Sequence, residues 1–288
     1  MAQQDPPSGA ADAPAAAEST SGWTRVTALA SAAGTLLAAS AATGALWFTG
    51  QSLHATNTQL GMSQQTAITD RFRLAAEQLS SKEIDVRISG IYLFERLAKD
   101  SPADHATVYS VLAAFVRTHA PATNCPTPPE PAATPVDIQT AMTVIGRRDA
   151  SREQPTDKPD LGQTCLRGAD LGGADLGGAD LGGAVLGGAV LDDANLGGAV
   201  LDGADLTDAN LTDANLTDTY LDDANLTHAY LGSANLTHAY LTHANLTHAN
   251  LAVANLTDAD LTHADLTGTQ YDLQTRWPKG FTPPPPPR

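Results

Sequence analysis

A leucine falls on every fifth residue from Leu161 to Leu266, twenty-two times without a break. A period of five belongs neither to a helix, at about 3.6 residues, nor to a flat strand, at 2. The chain must turn through the same angle after each five residues, so 161–270 is a solenoid. Two residues before the leucine stands alanine, from Ala169 to Ala264, interrupted only by Thr219. One residue before it stands Asp, Asn, Val or Tyr, and the two after it are mostly Gly-Gly, Thr-Asp, Asp-Asp or Thr-His. A large and a small apolar residue two apart point the same way on an extended segment, and the residue between them points out. The following pair is turn-like. Each pentapeptide is therefore one short side and one corner, with leucine filling the axis and alanine leaving room for it. Leu171, Leu176, Leu181, Leu216, Leu236 and Leu256 are read on this basis as structural core. A fully buried leucine contributes about 1.5–3 kcal/mol, most of it offset by ordering the chain.

The period alone does not give the number of sides. The run A-(D/N)-L-x-x resembles the pentapeptide repeat family over about 110 residues. That resemblance implies an all-β, right-handed quadrilateral β-helix with four sides and twenty residues per coil. Twenty-two leucines then make about five and a half coils, a rod roughly 26 Å long at an inter-strand spacing of ~4.8 Å.

Composition shifts along the rest of the chain. Residues 1–22 are rich in Ala, Pro, Ser and Gln with no apolar period, and read as a disordered N-terminus. No charge occurs between Val26 and Gly50, a stretch long enough to span a bilayer, which needs about 20 residues. Trp23 and Trp47 stand near its ends, where interfacial aromatics belong. We read 23–50 as a single transmembrane helix. Two alternatives stay open: a cleaved signal peptide with a site at Ala39-Ser40-Ala41, and a buried or surface helix. Ser40 and Gly44 form a small-xxx-small pair, read as simple richness in small residues or as a helix–helix contact. Arg25 and Arg71 are the nearest flanking basic residues, so orientation is poorly marked; the repeat domain is expected on the cytoplasmic side.

Residues 51–120 read as a helical spacer. Ile68, Phe72, Ala75 and Leu79 make one apolar face, and Ser80 with Glu83 is a capping-box signature. The helix it would open buries Ile84, Ile88, Ile91, Leu93, Phe94 and Leu97. After Ser101-Pro102 a further stripe runs through Val108, Val111, Leu112, Phe115 and Val116. Arg87, Glu95, Arg96 and Lys99 read as a solvated face or local ion pairs. A Pro-rich linker covers 121–135; a short helix and linker, 136–160, follow, with Gly146 as a left-handed C-cap. Cys125 and Cys165 are too few for a disulfide framework or a metal site and read as free thiols, which suits a reducing compartment.

The segments before the repeats resemble a narrower group, membrane-anchored actinobacterial pentapeptide repeat proteins. The resemblance rests on Thr69-Asp70-Arg71-Phe72, Asp85-Val86-Arg87, Gly90-Ile91-Tyr92 and Leu112-Ala113-Ala114-Phe115-Val116-Arg117. In the tail it rests on Tyr271-Asp272 and Thr275-Arg276-Trp277-Pro278. It implies architecture rather than activity. Residues 271–288 are read as a C-terminal cap, with Tyr271 in a leucine position and Trp277 beside it, followed by a polyproline tail.

With twenty residues per coil, residues twenty apart stack in columns. Asn195, Asn215, Asn235 and Asn255 form one, and Tyr220 and Tyr240 another. For both, two readings stay open: support of the stack by laddered side chains, and an interaction surface. His228 with His248 and His243 with His263 stack likewise. A metal normally wants a third ligand and an outer shell, so no metal and no cofactor are expected. No phosphate loop, nucleophile–base pairing or paired buried carboxylates appear, and the chain is read as a non-enzyme.

The chain carries 32 acidic and 16 basic side chains, a net charge of -16. This excludes nucleic acid and anionic lipid as partners by general electrostatics. Between 161 and 270 stand fifteen Asp and one Arg, with Asp absent from 224 to 257. The expected function is a membrane-anchored scaffold or protein-interaction module whose partner is a protein, basic or itself DNA-binding, with homodimerisation open. The alternative, implied by the family, is a DNA-mimicking inhibitor or protector of DNA gyrase or another topoisomerase.

Overall fold

The computed structural model describes residues 58–59, 61–127, 134–154 and 156–285. The chain divides into two units, Met1–Gln65 and Thr66–Arg288; the following concerns the second. The N-terminus 1–22 and the expected span 23–50 lie outside the described residues. Among the described residues no helix is long and apolar enough to cross a membrane.

Among the described residues of this unit four α-helices precede the rod: α1, of which 66–79 lie in this unit, α2 (Ile84–Asp100), α3 (His105–His119) and α4 (Val136–Gly146). Their apolar stripes converge through Ala75, Leu79, Ile91, Phe94, Leu97, Val108, Leu112, Val116, Ile138 and Ile145, all buried. Phe72 meets Phe94 edge-on at 5.2 Å. The capping box does not form. Glu83 itself is the N-cap of α2 and makes no side-chain cap bond. The Ser80 hydroxyl instead donates back to the Ala76 carbonyl at 2.9 Å, and Ile84 is exposed at the start of the helix. Arg87 is not a solvated charge: it reaches across to Asp137 of α4 at 2.7 Å with both side chains largely buried. Lys99 does make the expected local pair, with Glu95 at 3.0 Å.

The rod has four faces and a register of twenty. Asp160 pairs in parallel with Asp180, Cys165 with Val185, Asp170 with Val190 and Asp175 with Asn195, and the pattern repeats to Asn250 with Gln270. We number these columns faces 1 to 4. The leucines and alanines are buried along the axis, including Leu171, Leu176, Leu181, Leu216, Leu236 and Leu256. Where Thr219 replaces alanine, its hydroxyl donates to the Leu196 carbonyl at 2.9 Å, which removes the cost of burying it.

The backbone N–H groups of each pentapeptide are accounted for in turn. The outward residue donates to the coil before, as Asn215 to the Ala194 carbonyl at 2.9 Å, and the leucine donates to the coil after, as Leu216 to the Asn235 carbonyl at 2.7 Å. The alanine closes a turn onto the previous leucine, as Ala214 to Leu211 at 3.2 Å. The first corner residue is capped by the outward Asp or Asn, as Thr217 N–H to Asn215 Oδ1 at 3.2 Å. This cap is the physical reason for Asp or Asn before leucine. The second corner residue is left-handed throughout, from Gln163 at φ 56° to His263 at 60°. Gly, Asp and Asn-like residues suit that region and β-branched ones do not. Val253, at φ 66°, is the β-branched exception.

The helices are not a spacer but a cap on the first coils, and one continuous core runs from α1 into the leucine stack. Gly146 is not a left-handed C-cap, since it is absent from the positive-φ residues. It is glycine because an added Cβ would stand 2.7 Å from the Ala174 Cβ. Its carbonyl accepts the Asp175 N–H at 2.8 Å. Arg148, fully buried, bonds the buried Glu153 at 2.8 Å and reaches the carbonyls of Gly177, at 3.1 Å, and Asp175. The Cys165 N–H donates to the Ala120 carbonyl at 2.7 Å. The two cysteines are not free: Cys125 and Cys165 form a disulfide with Cα atoms 5.3 Å apart, joining the linker after α3 to face 2 of the first coil. Spacing could not reveal this, because two cysteines 40 positions apart are brought together only by docking of the cap.

At the far end Tyr271 takes a leucine position, following Gln270 in the ladder, and one inserted residue later Arg276 pairs with Asn255. Trp277 then occupies the next leucine position and packs edge-on against Tyr271 at 5.3 Å and stacked on Phe281 at 5.4 Å. The tail folds back enough for the Tyr271 hydroxyl to donate to the Pro284 carbonyl at 2.5 Å. The strain at Val253 gives a test. A non-glycine residue held left-handed costs about 1–3 kcal/mol, partly balanced by the extra chain entropy of glycine. Val253→Gly is therefore expected to raise the stability of the rod by about 1 kcal/mol, read as a higher melting temperature by circular dichroism; an unchanged or lower one contradicts the strain.

Candidate functional surface

The outward positions divide into structural and displayed groups. On face 4 the Asn215 amide donates to Asn195 Oδ1 at 2.8 Å and Asn195 to Asp175 Oδ1 at 2.9 Å. Higher up, Asn235 and Asn255 donate to the hydroxyls of Thr217 and Thr237, at 2.9 and 2.8 Å. Each Asn oxygen also caps its own corner. Both ends of these amides are thus engaged within the rod, and their solvent-facing capacity is small.

Tyr220 and Tyr240 on face 1 stack with centroids 4.9 Å apart and planes within 7°. Each is 42% exposed. Their rings cover one another's faces and present edges outward. Tyr230 on face 3, which the sequence columns did not single out, is more exposed, at 54%. The signal for it was present: it occupies an outward position in the same Asp-free stretch. Tyrosine cannot cap a corner, and the structure supplies the missing acceptor from the neighbouring coil. Asp202 Oδ1 accepts the Asp222 N–H at 3.2 Å and Asp222 Oδ1 accepts the Thr242 N–H at 2.8 Å. These aspartates follow Val200 and Tyr220 at the first corner position, so they substitute for the cap that an outward Asp or Asn gives elsewhere.

His228 stacks on His248 at 5.1 Å and His243 on His263 at 5.0 Å, all at left-handed corners. Among the described residues no group of three His, Cys, Asp or Glu is arranged to hold a metal. Hydrogen bonds from Thr262 and Thr267 hold the Asp260 and Asp265 carboxyls below the usual carboxylate range. Asp202 moves the other way: burial pushes it up first, and the charges of Asp222, Asp180 and Asp223 add to the shift. The surface is therefore an acidic belt in the first coils and a Tyr/His/Asn belt without Asp from 224 to 257, on a stiff axis. Such a surface can bind.

Geometry of this kind defines a four-sided parallel β-solenoid with five-residue sides. Residues 169–208, 204–239 and 234–269 match the family model Pentapeptide repeats, in 8 copies, and the rod belongs to the pentapeptide repeat family, whose members form right-handed quadrilateral β-helices. Among solved structures, the chain is similar to the pentapeptide repeat protein Rfr23 from the cyanobacterium Cyanothece, at 35% identity over 38% of this chain and 64% of that one, with a TM-score of 0.24. It is also similar to a pentapeptide repeat protein of the Arabidopsis thaliana thylakoid lumen, at 31% identity over 36% of this chain and 66% of that one, TM-score 0.27. A third, QnrB1, a plasmid-mediated fluoroquinolone resistance protein, is 16% identical over 42% of this chain and 71% of that one, TM-score 0.20. The chain spans less than two thirds of the length of the first two. No curated protein matches it.

The raised Asp202 carboxyl generates a pH test. A carboxyl pushed above its unfolded value destabilises the fold once ionised, so its penalty is present above the raised pKa and disappears as pH falls through it. Asp202→Asn keeps the acceptor oxygen and removes the charge. It is expected to raise the melting temperature at pH 7, with the gain shrinking as the pH is lowered; a gain independent of pH contradicts the raised carboxyl.

Proposed function

We propose that the protein is a non-enzymatic interaction scaffold, held at a membrane through 23–50, that presents a rigid rod to a protein partner on the oxidising side of that membrane. The observation that carries the sidedness is the disulfide between Cys125 and Cys165. Disulfides persist in oxidising compartments and are rare where thiols are kept reduced. This reading differs from the cytoplasmic side expected for the repeat domain, to which the flanking charges, Arg25 and Arg71, give little guidance. The scaffold role is supported by how the residues are used. Leucine and alanine fill the axis, Asp and Asn cap corners, and what remains outward is acidic in one half and Tyr/His-rich in the other.

The sidedness is tested by acid-trapping the protein from growing cells and alkylating it before and after reduction. Both cysteines are expected to take up label only after reduction, and the protein to stay with membranes through a carbonate wash. Labelling without reduction contradicts the oxidising location.

A second reading rests on the aspartate belt: an acidic rod that competes with DNA for a topoisomerase. The disulfide opposes it, because such a target works among reduced thiols. The full chain is expected to leave gyrase supercoiling unchanged at micromolar concentration, in a supercoiling assay; inhibition there would favour mimicry over the exported scaffold.

A further inference from the structure

The cap contains a small cavity of about 110 Å³ lined by Ala98, Lys99, His105, Tyr109, Arg147, Asp149 and Arg152. A water needs only about 10–15 Å³ on this measure, so the space admits a small polyatomic group. Three of its lining residues are cations, in a chain with twice as many acidic as basic side chains. They come from three places in the fold: the last turn of α2, the residue after α4, and the short helix Ala150–Arg152.

His105 is the second observation. Its side chain is 4% exposed, and neither ring nitrogen has a hydrogen-bond partner. The nearest carboxylate, Glu153, stands at 3.8 Å, beyond hydrogen-bonding distance. One ring nitrogen is always a donor, and a buried donor without an acceptor is costly and calls for a missing partner. His105 also opens α3, whose N-cap Asp104 makes no side-chain cap bond, so the positive end of a helix of fifteen residues lies at this wall. Burial first, with Glu95 and Glu153 behind it, pushes the Tyr109 hydroxyl up to about 12. It stays protonated and available as a donor.

The local carboxylates are already engaged. Glu95 lies between Lys99 at 3.0 Å and Arg147 at 3.9 Å, Asp149 pairs with Arg152 at 2.9 Å, and Glu153 is held by Arg148 and Lys158. Three cations and one carboxylate, Asp149, thus line the cavity itself. We propose that this cavity binds a phosphate-class oxyanion, with Lys99, Arg147 and Arg152 as the charged donors and His105 as the buried donor at its base. Arg and Lys donors of this kind recognise tetrahedral oxyanions by charge-assisted hydrogen bonds. The group can arrive as the free ion or as the ester of a headgroup, and the two are separable by experiment.

The full chain is titrated calorimetrically with inorganic phosphate and, separately, with glycerol 1-phosphate. The same titrations are run on a Lys99→Met, Arg147→Gln, Arg152→Gln variant, whose altered side chains are all largely exposed and outside the core. Binding of inorganic phosphate supports the free ion, and binding of glycerol 1-phosphate alone supports the ester. In either case the variant is expected to bind on the order of a hundredfold more weakly, with a native-like circular dichroism spectrum to show that it is folded; some loss of melting temperature is expected because Glu95 and Asp149 lose their cations. The ¹⁵N resonances of the His105 ring should shift on saturation of the native protein. No binding of either compound, or equal affinity in the variant, which would mean an adventitious ion only, overturns the site.

Discussion

The structure depends on one constraint, that residue i lies beside residue i + 20 on the same face. Leucine sets it by filling an axis that admits one large side chain per side, and the backbone ladder then fixes the coil at twenty residues. From that register follow the columns, the corner geometry and the separation of structural from displayed side chains. A solenoid of this kind gains its stability from neighbour contacts, so its ends need cover. Here the helical bundle covers one end, and Tyr271, Trp277 and Phe281 cover the other.

The two caps differ in chemistry. The C-terminal one is a continuation of the repeat, with Tyr271 and Trp277 in leucine positions on either side of a single inserted residue. The N-terminal one is a separate layer joined to the rod by backbone bonds at Gly146 and Ala120, by the buried Arg148, which pairs with Glu153 and donates to the Asp175 and Gly177 carbonyls, and by a disulfide. A buried ion pair is weak support for stability but costly to break from one side. It therefore fixes how the layer docks more than how tightly. The disulfide adds a covalent link across 40 residues, worth about 4 kcal/mol in the chain-entropy model.

Much of the rod was legible because a strict repeat states its own geometry. The Leu/Ala axis, the turn-like pairs and the stacking of Asn215 on Asn195 or Tyr240 on Tyr220 all follow from spacing once the coil length is known. The apolar faces of α1 and α3 were legible for the same reason, since helical periodicity is local. What escaped was non-local. The pairing of Arg87 with Asp137 and of Cys125 with Cys165, and the close approach that requires Gly146, each depend on docking between segments whose sequences carry no mark of one another. Local signals also misled where two compete: Ser80 and Glu83 have the spacing of a capping box, but Ser80 bonds backward and Glu83 becomes the cap. Of the displayed surface, Tyr230 stood in the repeat pattern yet lacked a stacked tyrosine to draw attention to it. The cavity around His105 had no signature at all, its cations being spread over α2, the end of α4 and the short helix beyond.

The register is tested most directly by engineered cross-links in a Cys125→Ser, Cys165→Ser background. Parallel neighbours one coil apart lie within the Cα separation that a disulfide tolerates, about 4.4–6.8 Å. The pair Asn215→Cys with Asn235→Cys, on one face, should oxidise nearly completely. The pairs Asn215→Cys with Tyr230→Cys and Asn215→Cys with Tyr240→Cys, which place the second cysteine on a different face, should not. Efficient bonding of either off-register pair, or none at the in-register pair, would contradict a four-sided coil of twenty residues.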